Sequence, residues 1–132
     1  MDNFINNVVS ITILLFLLIT FLQSGIDKIT DWKGNLSWLK GHFAKTFMGN
    51  AVPLLLTIVL ITEMITAICC IIGIYTLIAN NDVFFGVLAM FLACITLLML
   101  LFGQRVAKDY PGALTITCYF IVAIFGLYVI SL

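Results

Sequence analysis

VPLLLTIVLITEMITAICCIIGIY, residues 52–75, is an almost unbroken apolar run with a single carboxylate, Glu63, near its middle. At ~1.5 Å rise per helical residue, about 20 residues cover the ~30 Å hydrocarbon core of a bilayer, so this run is long enough to cross one. An unpaired charge at that depth costs roughly 2.5 kcal/mol or more. Glu63 is therefore expected to carry a proton, to be held by a neighbouring helix, or both. On the Glu63 face lie Leu56, Leu60, Thr66, Ala67 and Cys70, at spacings of three and four. Asn50 and Pro53 read as the cap and first turn of this helix, and Gly73 would admit another backbone closely.

Working outward, residues 4–22, 83–102 and 113–131 are runs of the same kind. Across all 132 residues, 64% are hydrophobic and 9% charged, with a mean hydropathy of +1.25. A water-soluble domain of this size needs far more polar surface. The expected fold is thus all-α: an integral membrane four-helix bundle forming one domain over residues 1–132. The zero net charge gives no footprint for nucleic acid. The first span is not preceded by a basic segment, Asp2 is acidic, and Gln23-Ser24-Gly25 lacks the small-x-small cleavage pattern. The spans themselves, rather than a leader or a lipid, are expected to be the anchor.

Orientation follows from the basic residues. Lys28, Lys33, Lys40 and Lys45 fall between spans one and two, Arg105 and Lys108 between spans three and four. The positive-inside rule puts both loops in the cytoplasm and both termini outside. In the longer loop Trp32, Leu36, Leu39, Phe43 and Phe47 recur at steps of four, three, four and four, with Lys33, Lys40, His42 and Lys45 largely between them. This pattern predicts an amphipathic interfacial helix between spans one and two, kinked or broken because Gly34 and Gly41 weaken it. It serves either as a surface cover or as a gate over a site between the spans.

The candidate chemistry is sparse. Glu63 with Thr66 is the first candidate, a proton or ligand site, with Thr20, Thr96, Thr117 and Tyr119 as partners for the carboxylate; the alternative is a neutral Glu63 clamping two helices. Gly25 is expected to end span one, which makes Ile26-Asp27-Lys28-Ile29 a charged surface segment. Asp27 and Lys28 would then meet Arg105 and Asp109 in a polar cluster at the cytoplasmic mouth, where exposed ion pairs contribute ~1 kcal/mol or less. Cys69, Cys70, Cys94 and Cys118 form no Cys-x-x-Cys motif, and depth arithmetic separates Cys70 from Cys118 by ~15 Å, so all four read as buried packing residues. His42 is the only histidine, which excludes a two-His haem or a His-rich metal site within one chain, and its side of the helix points to solvent contact. No metal site is expected. Phosphate-cradling, nucleophile-elbow and paired-carboxylate patterns are lacking.

Phe21-Leu22-Gln23-Ser24-Gly25-Ile26-Asp27-Lys28-Ile29 resembles the phenylalanine-x-x-serine-glycine-x-x-lysine ending of the first helix in DoxX-like proteins. Glu63 followed by Gly73, and Asp109 entering a final helix rich in aromatics and glycine, are similar to the same family, so the resemblance extends over nearly the whole chain. It implies a compact four-helix membrane bundle and a loose association with respiratory or thiosulfate-quinone oxidoreductase systems, in a bacterial inner membrane. The role expected first is a non-catalytic accessory or assembly subunit of a larger membrane complex, with no activity of its own. Small size, the absence of ligand sets and a bundle too narrow for an elaborate pocket support it. The alternative is a redox subunit that binds a quinone or lipid-like ligand and uses Glu63 for proton exchange. The partners implied are the lipid bilayer and either a larger complex or further copies of the chain.

Overall fold

A computed structural model describes residues 2–132. Among them are six α-helices: α1 (Asp2–Asn6), α2 (Val8–Thr30), α3 (Trp32–His42), α4 (Val52–Asn80), α5 (Phe84–Val106) and α6 (Tyr110–Ile130), with a 3-10 turn at Gly49–Ala51. The described residues contain no strand. Four of the helices, α2, α4, α5 and α6, are long and apolar enough to cross a membrane.

These four pack in chain order, α2 on α4, α4 on α5 and α5 on α6, and a lighter seam between α6 and α2 closes the bundle. Leu14, Leu17 and Phe21 of α2 meet Cys70 and Leu77 of α4 and Ala89, Met90 and Ala93 of α5 in the core. The outside is no more polar than the inside: Ile19, Ile61, Phe91 and Ile121 are exposed. A helix that is apolar all round is the signature of burial or of lipid contact.

Two helices outrun the sequence expectation. The helix containing the 52–75 run continues to Asn80 and stops where Asn81 turns left-handed, at φ 52°. Asparagine tolerates that conformation better than most residues. Asn81 is held there by Asn7, whose Nδ2 donates to its Oδ1 at 2.7 Å, while Asn3 Nδ2 donates to the Ile78 carbonyl at 3.2 Å. At the other end of α4 the cap residue is Ala51, and Asn50 lies within the 3-10 turn instead of capping; Pro53 does occupy the first turn.

Gly25 does not end the first span. Helix α2 runs through it to Thr30, and the break comes at Asp31, whose carboxylate accepts from Gly34 N at 3.2 Å and so caps α3. The need for glycine at 25 is a packing need: a Cβ there would lie 2.5 Å from Met64 Sδ of α4. Because residues 26–28 stay helical, Lys28 lies one short turn beyond Gly25 on the same face and is carried toward α4. The four residues expected as a surface segment are instead the last turns of α2. Helix α3 is continuous over Trp32–His42 despite Gly34 and Gly41, and turns follow from Phe43 to Met48.

Candidate functional site

Lys28 and Glu63 form an ion pair inside the bundle. Lys28 Nζ lies 2.8 Å from Glu63 Oε1, with the glutamate side chain 2% exposed and the lysine 15%. Lys28 also donates to Ser24 Oγ at 2.6 Å, one turn back on α2. The ammonium approaches Oε1 outside hydrogen-bonding geometry, so that buried oxygen has a counter-ion but no aligned donor.

None of the partners expected for Glu63 takes it, and the reason is local. Thr20, Thr96 and Thr117 donate their hydroxyls to the carbonyls of Phe16, Leu92 and Ala113 on their own helices. Thr66, expected to share the Glu63 site, donates in the same way to Thr62 O at 2.7 Å. A hydroxyl bonded to its own preceding turn has no need of a partner across the bundle. Tyr119 packs beside Phe16, ring centroids 6.1 Å apart.

The expected cluster of Asp27, Lys28, Arg105 and Asp109 is not assembled as one contact. Lys28 is turned inward. Asp109 caps α6, accepting from Gly112 N at 3.0 Å, and Arg105 stacks over the Tyr110 ring at 5.1 Å. Asp27 is exposed, and its carbonyl accepts from Asn35 Nδ2 at 3.3 Å.

Beside Lys28 opens a cavity of about 780 Å³. Leu55 and Val59 of α4 and Ile95 and Met99 of α5 form its walls, and α3 with the turns after it forms a roof through Trp38, Phe43 and Phe47. The polar residues on its lining are Lys28, Asn35 and Gln104. The expectation of a bundle too narrow for a pocket is thereby corrected. What makes the room is the segment between α2 and α4, which lies across the bundle end instead of leaving the helices to close on one another.

The roof is fastened by His42, which is half-buried rather than solvated. Its Nε2 lies 3.0 Å from Gln104 Oε1 and 3.6 Å from Asp109 Oδ2, and its ring stacks on Trp38 at 4.5 Å. Phe43 follows edge-on to the same ring and leans on Gly103 of α5. A hydrogen bond and a stacked ring are together worth about 1–2 kcal/mol. His42→Ala is therefore expected to raise amide exchange across residues 32–51 about tenfold, with the middle of α4 unchanged, in a hydrogen-exchange measurement. Uniform exchange in both proteins would mean that His42 is not the fastening.

All four cysteines are free thiols; Cys69, Cys70 and Cys94 are buried as expected, whereas Cys118 is exposed on α6. Sequence reasoning missed Ser24 and Gln104 as site residues and missed the Lys28–Glu63 pairing. A signal for it existed in the spacing: Ser24, Gly25 and Lys28 share one helical face only if the helix does not stop at the glycine. Among the described residues, no three His, Cys, Asp or Glu side chains come together as metal ligands would. Comparison with known proteins adds no relative: no family model, no curated protein and no solved structure matches the chain.

Proposed function

We propose that this chain is an integral membrane protein of DoxX-like type that holds a lipid-like amphiphile in the cavity beneath α3, with Lys28 at the polar end. The observation that carries this reading is the cavity itself: about 780 Å³, walled by apolar side chains, with a lysine and two amides as its polar lining. A concave, mainly apolar site with a few convergent polar groups is the usual form of a small-molecule site. Membrane insertion is supported by four helices of sufficient length and by their apolar outward faces. The grouping of basic residues in the two loops at the roofed end favours a cytoplasmic roof. The residues that carry the DoxX-like resemblance have structural parts to play here. Phe21 packs in the core, Gly25 lets Met64 in, Ser24 accepts from Lys28, and Lys28 meets Glu63.

The accessory-subunit role loses the premise that the bundle has no room for a ligand, so ligand handling is the stronger of the two readings. Purification from native membranes in mild detergent, followed by mass spectrometry, separates them. A stoichiometric amphiphile, a quinone or another lipid, is expected to co-purify, and Val59→Trp, which fills the cavity, is expected to remove it. Recovery within a defined complex, without any stoichiometric small molecule, would instead make this an accessory subunit.

A further inference from the structure

We infer that the cavity selects a long-chain carboxylic acid, whose carboxylate takes the place of Glu63 as the counter-ion of Lys28. This rests on the ligand-binding reading above and names the ligand class. Three observations lead to it. First, a molecule in the cavity meets the lysine and the amides of Asn35 and Gln104, while Glu63 is not part of the lining. The polar end therefore presents a cation and no acid. Second, an ammonium has three donors. Ser24 takes two, through Oγ at 2.6 Å and its carbonyl at 3.5 Å, and Glu63 supplies charge without an aligned acceptor, so Lys28 keeps one donor for a ligand oxygen. Third, Lys28 is the one charged group in contact with the 2%-exposed Glu63. A buried charge that loses its partner is costly, whereas a neutral carboxylic acid at the same place is far less so.

The exchange balances in charge and in protons. The ligand enters as the neutral acid; Lys28, which reaches both groups, passes one N–H proton to Glu63 and takes the ligand's O–H proton in its place, so one O–H bond breaks on the ligand and one forms on Glu63. The ligand carboxylate then pairs with Lys28. One positive and one negative charge remain in the site before and after. A phosphodiester-headed lipid matches the single charge, but it enters already ionised and has no proton to give Glu63. An ester can accept one hydrogen bond, but it has no proton to give and cannot replace the ion pair. The rest of the wall is apolar and suits an alkyl chain.

The test uses the full chain with Trp32→Phe, which leaves Trp38, on the cavity roof, as the remaining one of two tryptophans. Dibromostearic acid and its methyl ester are titrated in detergent, and quenching of Trp38 fluorescence is read. Saturable quenching by the acid is expected, reversed by oleic acid but not by methyl oleate, with the acid favoured at least about tenfold, as a hydrogen bond to a charged group allows. In the Lys28→Met/Glu63→Leu double variant that preference is expected to vanish while the ester still quenches. Equal binding of acid and ester by the parent protein would overturn the ligand class and leave the cavity reading standing, even if the double variant does not fold. Persistence of the acid preference in the double variant would also overturn it. Quenching by neither probe would bring down both readings.

Discussion

Glu63→Gln is expected to lower the stability of the bundle by about 3 kcal/mol, and Lys28→Met/Glu63→Leu together to restore most of that loss. Removing one member of a buried pair leaves an uncompensated charge, at a cost of about 3–5 kcal/mol, whereas replacing both by apolar groups of similar size is often neutral or better. The lower end applies here because Lys28 is 15% exposed and its flexible stem can carry the ammonium toward the roofed end. Thermal unfolding in detergent, followed by circular dichroism, measures both variants. Equal melting of Glu63→Gln and the parent protein would mean that the pair does not form. The same reasoning changes what Glu63→Gln can say about function. With a threonine partner the amide would have been a mild replacement, and tolerance would have marked an accessory role. With a lysine partner the substitution destabilises under either role, so the double variant is the informative one.

How far the sequence foretold this molecule depends on whether a feature is local or relational. The four long helices were legible because each is an apolar run of the right length, and the close approach at Gly73 because a glycine in such a run has few other uses. Thr12, Thr20 and Thr66 satisfy themselves within their own helices, as short hydroxyl side chains are able to do. The errors came where one residue had two uses. Gly25 followed by charged residues reads as a helix end, and only its contact with Met64 shows that it is a packing glycine inside a longer helix. Once the helix is cut there, Lys28 is assigned to the surface and Glu63 is left without its partner. The cavity was beyond any periodicity argument, since it exists through the position of α3 and its following turns relative to α4 and α5.

Gly73→Ala is expected to cost about 1–3 kcal/mol, the range for overpacking a tight interior, and Gly73→Leu to prevent the bundle from forming. A Cβ on Gly73 would lie 2.9 Å from Gly86 N and 3.0 Å from Gly86 Cα, and backbone atoms cannot turn aside as a side chain does. Gly25 is the instructive contrast. Its nearest obstacle is the end of the Met64 side chain, which has rotatable bonds, so Gly25→Ala is expected to cost less than Gly73→Ala. The position of the Gly73–Gly86 crossing also bears on the site. Backbone contact ties α4 to α5 near the end where α4 stops and α5 begins, while at the opposite end Leu55 and Val59 of α4 face the cavity along with Ile95 and Met99 of α5. Prising the tied end apart alters the angle at which the two helices diverge, so Gly73→Ala is expected to weaken quenching of Trp38 by dibromostearic acid as well as stability. A melting loss without any change in quenching would show that the cavity is shaped by its roof alone. Loss of both would make the close crossing at one end a determinant of the site at the other.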